Sequence, residues 1–311
     1  MTKKIIVLMG GWSNEREVSL TTGKSIAKEL KEQGYAVSEL DVTRDINAFV
    51  NAIQTVKPDV VFNALHGTGG EDGVIQGVLD MMKIPYTHSG VTASAVAMDK
   101  ILSRLIFIQE GIPVPEYKVL SLNDYKNGAH PFAFPYVIKP LNEGSSRGVS
   151  IIRDDADRSE AMKAWAFGDH VIAEIYIPGR EVSVAVVNGK AIGTVETCAN
   201  EAFKDRGFRD YELKYTPGCE THLVPAPVGA ETEALLLDYT ERAHNVLGCK
   251  GVTRADFRIN DVVTPHQIAL LELNTQPGFT AMSLVPAIAK HQGISFGALL
   301  NTMIEHATCA S

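Results

Sequence analysis

The sequence predicts an α/β fold divided over more than one domain, and three observations carry this prediction. Strand and helix patterns alternate through the first 63 residues, as expected of a parallel sheet with helices on its faces. Two strands with period-two patterns follow each other near the C-terminus, at 253–259 and 268–274. The chain has 311 residues, of which 45% are hydrophobic, and this length suffices for two or three domains.

The N-terminal part reads as a parallel α/β sheet. Its predicted elements are a strand at 4–9, a helix at 18–31, a strand at 35–40, a helix at 45–56 and a strand at 59–63. Ligands of such sheets bind beyond the carboxyl ends of the strands. The loops at 10–20 and 64–73 both follow strands, so we expect them to face a ligand.

Two glycine patterns in this part do not form nucleotide-binding motifs. Gly23-Lys24-Ser25 ends like a P-loop, but that motif needs a glycine five positions earlier, where Val18 stands. The glycines between 67 and 73 miss the spacing of the dinucleotide-binding fingerprint. We therefore expect Lys24 to lie on a helix surface and the 67–73 loop to be flexible or to lie close to a ligand.

The middle of the chain reads as one long helix followed by a mixed unit. The helix spans 91–110, carries Lys100 and is ended by Pro113 and Pro115. The later predicted elements are strands at 117–120, 134–139, 149–152 and 171–176 and a helix at 157–167. The small-residue loop at 144–148 lies between two strands, so it predicts a hairpin flap that closes over a triphosphate, with Lys139 at its base. An ordinary glycine and serine hairpin is the alternative.

The C-terminal part begins with a hairpin signal. Asn188-Gly189 separates the predicted strands 182–187 and 190–196, which is typical of a two-residue turn. The polar and aromatic segment 203–215 has little periodicity, and segments of this kind inside domains are usually functional lids. Helices are predicted at 231–247, 284–290 and 296–306.

The paired strands near the C-terminus place polar side chains on one surface. Strand 253–259 would direct Arg254, Asp256 and Arg258 to one face. Strand 268–274 would place Leu270, Glu272 and Asn274 together on one face. The opposite face, with Ala269, Leu271 and Leu273, would point towards a core. If the strands pair, Asp256, Glu272 and Asn274 converge.

This convergence suits a hard cation. Two carboxylates and an amide oxygen, with no thiolate or imidazole near them in sequence, match Mg²⁺ that also binds water or phosphate oxygens, which implies a nucleotide. The alternative is that Asp256 and Glu272 are solvated strand residues balanced by arginines. Beyond the second strand, the turn 274–278 contains Gly278, whose N–H, together with Arg254, could bind a developing oxyanion.

Charge and apolar runs exclude several classes of protein. The net charge of −8 argues against a nucleic-acid binder, which needs a basic face. No apolar run approaches the ~20 residues of a membrane span, and the run at 5–9 is too short for a signal peptide. The four cysteines, Cys198, Cys219, Cys249 and Cys309, form no C-x-x-C pair and read as reduced thiols. We expect a cytoplasmic protein that does not associate with membranes.

Seven motifs in register point to one family. They are Gly-Gly-x-Ser-x-Glu-Arg-Glu-Val-Ser at 10–19, His66-Gly67 with Glu71-Asp72-Gly73, Met98-Asp99-Lys100, Lys139-Pro140 with Glu143-Gly144-Ser145-Ser146, Arg254-x-Asp256, Glu272-x-Asn274-Thr275-x-Pro277-Gly278 and Ser283-Leu284-x-Pro286. These motifs are distributed along the whole chain. In their sequence and order the chain resembles the D-alanine–D-alanine ligases, a family of ATP-grasp enzymes.

The resemblance implies a three-domain ATP-grasp architecture. The implied domains are an N-terminal parallel α/β substrate domain at 1–97, a central lid domain at 98–178 and a C-terminal domain at 179–311 with the metal site and the mobile segment. ATP would lie between the last two domains, with Mg²⁺, which Mn²⁺ could replace. The enzyme would join two D-alanine molecules through an acylphosphate intermediate. The dipeptide would serve as a precursor for peptidoglycan. The resemblance also implies a homodimer.

The resemblance also assigns roles to residues of this chain. The residues implied for D-alanine and for catalysis are Glu15, His66, Ser145, Lys214, Tyr215, Arg254, Gly278, Ser283 and Leu284. Those implied for ATP are Lys100, Lys139, Glu143, Ser145, Ser146, Glu174, Ile175, Ile177, Glu181, Phe208 and Lys214. The implied metal ligands are Asp256, Glu272 and Asn274.

Two other functions remain open on the sequence. Another ATP-grasp carboxylate–amine ligase would share Lys139 and the metal ligands but not Glu15 or Tyr215. A Mg²⁺-dependent phosphohydrolase would need only the acidic cluster and would release phosphate from ATP without an amino acid.

Overall fold

Three β-sheets organise the protein in a computed structural model that describes residues 2–144, 146–200, 218–260, 262, 267–280 and 282–309. The N-terminal sheet contains β1 (Lys4–Gly10), β2 (Ala36–Val42) and β3 (Val60–Asn63), with β1 in the middle and both pairs parallel. The central antiparallel sheet contains β4 (Tyr117–Ser121), β5 (Tyr136–Lys139), β6 (Ser150–Ile152) and β7 (His170–Ile175), in the order β4-β7-β5-β6. The C-terminal antiparallel sheet contains β8 (Arg180–Val187), β9 (Lys190–Ala199), β10 (Glu220–Leu223), β11 (Val252–Asn260) and β12 (Gln267–Asn274), in the order β10-β9-β8-β11-β12.

Helices cover these sheets. They are α1 (Arg16–Glu32), α2 (Ile46–Val56), α3 (Val74–Met81), α4 (Val91–Met98), α5 (Lys100–Gln109), α6 (Leu122–Asn127), α7 (Asp155–Lys163), α8 (Ala230–Val246), α9 (Leu284–His291) and α10 (Phe296–Glu305). Within the described ranges, none of the helices is long and apolar enough to cross a membrane. The predicted α/β class and the parallel N-terminal sheet are confirmed.

The two predicted hairpins are present. β5 pairs with β6 in an antiparallel ladder, with Tyr136 opposite Ile152, so the small-residue loop does connect two neighbouring strands. β8 pairs with β9 around Asn188 and Gly189, whose φ angles are 49° and 78°. Two consecutive positive φ angles are what a tight two-residue turn requires, which explains why the Asn-Gly signal was reliable.

The prediction of a single helix at 91–110 is wrong. The structure has two helices, α4 and α5, separated at Asp99, whose ψ of 105° is extended rather than helical. The Asp99 carboxylate accepts hydrogen bonds from the backbone N–H groups of Ile101 and Leu102, so it caps the second helix. The break makes Lys100 the first residue of α5. The predicted helix at 157–167 similarly starts earlier, at Asp155, because the side chain of Asp154 caps it.

The predicted alternation along β12 is also wrong at one position. Asp256 lies opposite Glu272, but the next residue of β11, Phe257, lies opposite Leu270, so Leu271 is an extra residue of a β-bulge. The bulge changes the faces of the strand: Leu270 is fully buried in the core, whereas Leu271 lines a cleft. A single inserted residue reverses the facing of a strand because side chains alternate with period two.

Three elements of the structure were not predicted, namely α3, α6 and β10. α3 follows Gly73, which has a φ of 94° and no side chain to cap the helix, and the Asp72 carboxylate accepts from the Val74 N–H instead, one position before the usual capping residue. β10 has four residues and exists through its pairing with β9, where Glu220 lies opposite Ala199. Such long-range pairing leaves little local trace in a sequence.

The two ends of the chain share one hydrophobic core. Buried residues of β1 and α1 pack in the same cluster as buried residues of α9 and α10, including Val7, Ile26, Ile288 and Leu300. A second cluster fills the space between the C-terminal sheet and α4, α5 and α8. The C-terminal helices therefore hold the N-terminal sheet and the C-terminal sheet together. The predicted division at 97/98 and 178/179 stays a prediction.

Helix α1 lies so close to β1 that one helix position accepts only glycine. A Cβ atom on Gly23 would lie 2.5 Å from the Cβ of Met9 and 2.9 Å from its Cε. The Gly23-Lys24-Ser25 sequence therefore reflects close packing of a helix on a strand.

We predict that Gly23→Ala destabilises the protein by about 1–3 kcal/mol, because the added methyl group overpacks the core. Helix propensity alone predicts the opposite sign, a gain of about 1 kcal/mol. Gly77→Ala in α3 is the matched control, since its Cβ would meet only Val91 Cγ2, at 3.8 Å. Urea unfolding of both variants checks this, and equal effects would contradict the packing argument.

Candidate functional site

Two clefts meet at the edge formed by β11 and β12. The first, cleft A, lies between the central and C-terminal sheets and encloses about 840 Å³ of space, open solvent at its mouth included. The second, cleft B, lies between α1, the 66–71 loop and residues 274–280 and 282–284, and it encloses about 1550 Å³ on the same measure. Glu272 lines both clefts. Asp256 lines cleft A, whereas Arg254 and Asn274 line cleft B.

Cleft A brings together the predicted nucleotide residues that the structure describes. They are Lys100, Lys139, Glu143, Ser146, Glu174, Ile175, Ile177 and Glu181. Apolar walls come from Val137 and Ile151 of the central sheet, from Val149 just before β6 and from the bulge residue Leu271. A cleft with apolar walls and a few charged groups at its inner end is the usual form of a small-molecule site.

The charged end of cleft A contains a buried carboxylate shared by two cations. Glu174 accepts a hydrogen bond from Lys139 Nζ at 2.5 Å and another from Arg104 Nη2 at 2.6 Å, and all three side chains are buried. Burial by itself raises the pKa of Glu174, but the charges of Lys139 and Arg104 outweigh it and hold that pKa below its ordinary value. Burial lowers the pKa of Lys139, and Glu174 opposes this. The arrangement fixes the Lys139 ammonium in one place.

Lys100 is the second cation of cleft A. Its Nζ donates to the backbone carbonyl of Glu143 at 2.5 Å and lies 3.5 Å from Glu272 Oε2. Because Lys100 is the first residue of α5, the helix break at Asp99 determines where this side chain starts. The two lysines therefore approach the cleft from different elements, α5 and β5.

The β11–β12 register assembles the acidic group. Arg254 lies opposite Asn274, and Asp256 lies opposite Glu272. The Asp256 carboxylate accepts from Arg254 Nε and Nη2 at 2.7 and 2.8 Å and from Asn274 Nδ2 at 3.0 Å. Ser183 on β8 donates to the same carboxylate at 2.6 Å. These contacts confirm the predicted convergence of Asp256, Glu272 and Asn274.

The chemistry of this group fits a hard cation. Its carboxylates, Asp256 and Glu272, offer oxygen ligands of the kind that Mg²⁺ prefers, and the amide of Asn274 lies beside them. Among the described residues, there is no cluster of three or more His, Cys, Asp or Glu side chains that could hold a metal alone. A cation between Asp256 and Glu272 would therefore need further oxygen ligands from water or phosphate.

Cleft B contains the predicted substrate residues that the structure describes, namely Glu15, His66, Arg254, Gly278, Ser283 and Leu284. Glu15 is the N-cap residue of α1, and Ser283 is that of α9. Neither helix start has a side-chain cap hydrogen bond. Uncapped N–H groups at a helix start attract a carboxylate, so the α9 end of cleft B can bind one.

His66 is held by two partners at the edge of cleft B. Its Nδ1 lies 2.9 Å from Glu71 Oε1, and its Nε2 lies 3.2 Å from Thr22 Oγ1. Burial raises the pKa of Glu71, and the hydrogen bond with His66 opposes the rise. The His66 carbonyl accepts from Ser13 Oγ at 2.6 Å, and Ser13 Oγ in turn accepts from the Glu15 N–H at 3.1 Å. The 66–71 loop and the start of α1 are thus joined.

Four predicted site residues, Ser145, Phe208, Lys214 and Tyr215, lie outside the described part of the chain. The prediction that 203–215 forms a lid therefore stays a prediction.

Sequence patterns assign no role to three residues that lie in cleft B or are buried near the clefts, namely Glu71, Arg104 and Asn63. Arg104 was overlooked because one charged residue in an amphipathic helix has no distinguishing pattern. Glu71 stands inside a motif but received no role. Asn63 had a visible signal, since a polar residue ending the fully buried strand β3 must find a partner.

We predict that Glu174→Gln lowers the free energy of unfolding by about 3–5 kcal/mol at neutral pH, because it leaves two buried cations without their anion. The folded-state pKa of Glu174 lies below its ordinary value of 4.5. Its contribution is therefore fully present above pH 4.5 and is lost as the pH falls through the lowered pKa. The difference between wild type and variant should shrink over that acidic range.

Urea unfolding at a series of pH values measures this difference. Glu160→Gln, at an exposed position of α7, is the control and should change stability by less than about 0.5 kcal/mol. A Glu174→Gln effect that did not vary with pH would contradict the assignment of the effect to the carboxylate charge.

Family models match two parts of the chain. The model described as the D-ala D-ala ligase C-terminus matches residues 106–305, and the model described as the D-ala D-ala ligase N-terminus matches residues 44–89. The first match alone covers more than half of the chain.

Relatives and solved structures agree with these models. A D-alanine–D-alanine ligase from Paramagnetospirillum magneticum is 48% identical over 99% of this chain and 100% of its own length. One from Parvibaculum lavamentivorans is 47% identical over 99% and 98%. Two structures of the Bacillus anthracis D-alanine–D-alanine ligase each cover 98% of this chain and 97% of their own. One of them, with ATP bound, has a TM-score of 0.79 at 28% identity, and the other has 0.81 at 30%. The chain belongs to the D-alanine–D-alanine ligase family.

Proposed function

We propose that this protein joins two D-alanine molecules to D-alanyl-D-alanine, with conversion of ATP to ADP and phosphate. The observation that carries the proposal is that Glu272 lines both clefts, so that a phosphoryl donor in cleft A and an amino acid in cleft B would meet at one group. The full-length similarity to D-alanine–D-alanine ligases supports the same reaction. It disfavours the phosphohydrolase and the other carboxylate–amine ligases.

ATP would bind in cleft A. Lys100 and Lys139 would face its phosphates, with Glu143, Ser145 and Ser146 of the flap and Lys214 near them. Ile175, Ile177 and Glu181 would line the adenine and ribose side, with Phe208 against the base. The fixed position of Lys139 supports this arrangement, because phosphoryl transfer depends mainly on positioning and on neutralising charge. Glu174 would act there by holding Lys139 in place.

Asp256, Glu272 and Asn274 would hold the magnesium ion, or manganese in its place. The ion would neutralise charge on the phosphate oxygens during transfer. Arg254 is paired with Asp256 and also lines cleft B. It would therefore reach a substrate oxygen in cleft B while it stays paired with Asp256.

The two D-alanine molecules would bind in cleft B. Glu15 would hold the ammonium group of the first, with His66, Ser145 and Tyr215 completing its surroundings. Ser283 and the N–H of Leu284, at the uncapped start of α9, would hold the carboxylate of the second. The negative charge of Glu15 matches the ammonium group, and the N–H groups at the start of α9 match the carboxylate.

The reaction would have two steps. A carboxylate oxygen of the first D-alanine would attack the γ-phosphorus of ATP, which breaks the bond to ADP and forms an acylphosphate. The amine of the second D-alanine, after losing a proton, would attack the acyl carbon. Arg254 and the Gly278 N–H would stabilise the tetrahedral oxyanion, and phosphate would leave as the amide forms.

Three further predictions belong to this proposal. The chain would divide into domains at 1–97, 98–178 and 179–311, it would form a homodimer, and it would act in the cytoplasm on peptidoglycan precursors.

Incubation of the protein with ATP, Mg²⁺ and either D-alanine or L-alanine tests the proposal. We expect phosphate and dipeptide in equal amounts with D-alanine and neither product with L-alanine. Phosphate release without an amino acid would favour a phosphohydrolase. Turnover with another amine acceptor in place of D-alanine would favour a different ligase.

We predict that Glu272→Gln lowers kcat by more than about a hundredfold. Loss of a residue that only supports a metal ligand costs about 10–100-fold in activity, and Glu272 would be a ligand itself. The fold should remain, since Glu272 lines open clefts rather than the core. The control is Glu231→Gln, at an exposed position of α8. A normal rate of ADP production by Glu272→Gln at ordinary Mg²⁺ would rule out this metal site.

A further inference from the structure

A buried pair of amide side chains joins the N-terminal sheet to the segment that carries Gly278. Asn63 ends β3 and is fully buried, and Gln276 follows β12 and is 3% exposed. Asn63 Nδ2 donates to Gln276 Oε1 at 2.8 Å, although the two residues are 213 positions apart in sequence. Both amides therefore lie at the contact between the first and last sheets.

The remaining polar atoms of the pair fix its orientation. Asn63 Nδ2 also donates to the Gly70 carbonyl at 3.0 Å, and Asn63 Oδ1 accepts from the Leu65 N–H at 3.2 Å. Gln276 Nε2 donates to the Leu65 carbonyl. Carbonyl oxygens only accept, so neither amide can be turned around without placing oxygen against oxygen. Each amide thus has one allowed orientation.

The pair connects two parts of the reaction centre. On one side, Leu65 precedes His66, whose carbonyl is bonded to Ser13 and through it to the Glu15 N–H. On the other side, Gln276 lies two residues before Gly278. Phe279 also packs against Phe62 of β3, with ring centroids 6.5 Å apart, so the segment has both a polar and an apolar anchor.

We propose that Asn63 and Gln276 are positioning residues for the ligase reaction. They hold the Gly278 N–H at a fixed distance from the Glu15 end of cleft B, so that the acyl carbon of the first substrate lies where the oxyanion donors can reach it. This inference rests on the proposed function. Neither side chain takes part in bond formation, and a misplacement of about 1 Å at a reacting centre can cost about a hundredfold in rate.

Asn63→Leu is the main test, because Asn63 does not line cleft B whereas Gln276 does. We expect kcat for dipeptide formation to fall by about tenfold to a hundredfold, with the KM for ATP unchanged. We also expect more phosphate than dipeptide, because an acylphosphate that is not attacked by the amine is hydrolysed to D-alanine and phosphate. A purely structural role would leave one phosphate per dipeptide.

Gln76→Met is the matched control. Gln76 is 1% exposed and donates to the same Gly70 carbonyl at 2.8 Å, but this bond stays within the N-terminal part of the chain. We expect it to lower the thermal unfolding midpoint without changing kcat or the product ratio. Gln276→Met, which leaves the other bonds of Asn63 intact, provides a second test variant if Asn63→Leu does not fold.

The double variant Asn63→Leu/Gln276→Met should lose less activity than the sum of the two single effects on a free-energy scale, because both changes remove the shared bond. A wild-type kcat and product ratio in Asn63→Leu, or equal changes in Gln76→Met, would overturn the inference while leaving the proposed function intact. Failure of the wild-type protein to make dipeptide would instead refute the proposed function.

Discussion

The pairing of β11 with β12 is the interaction on which the rest of the site depends. It places Asp256 opposite Glu272 and Arg254 opposite Asn274, so four polar side chains from two strands form one group. The bulge next to this group turns Leu271 into cleft A while Leu270 stays in the core. The ladder thus supplies both the acidic group and part of the wall beside it. Because the polar residues lie on strands rather than on loops, their mutual distances are fixed by backbone hydrogen bonds.

Buried charges line the neighbouring cleft. Cleft A contains Lys100 and Lys139, and lysine side chains that are buried in this way lose much of their hydration. Glu174 compensates for this loss at Lys139, and Arg104 supplies a second positive charge that keeps the carboxylate ionised. Buried ion groups of this kind contribute little net stability, although removing one member is costly. Their consistent physical role here is to hold Lys139 in a defined place.

Cleft B depends on contact between distant parts of the chain. One wall comes from α1 and the 66–71 loop, and the other comes from residues 274–280 and 282–284. The shared core of β1, α1, α9 and α10 holds these walls together, and the Asn63–Gln276 bond fixes their register within it. Apolar packing supplies attraction without direction, whereas buried amides have one allowed orientation. The polar pair therefore adds a specificity that the hydrophobic contact lacks.

The sequence by itself determined the fold class, the parallel N-terminal sheet, both hairpins and the convergence of Asp256, Glu272 and Asn274, because period-two patterns and turn residues are local signals. It also determined the family, because seven motifs stand in order. Tertiary structure alone decided the facing of Leu271 and the partners of Arg104 and Asn63, whereas the helix break before Lys100 has a local cause, the Asp99 cap. A bulge, a buried ion group and a cross-sheet amide bond depend on residues far apart in the chain, and no local pattern records such pairs.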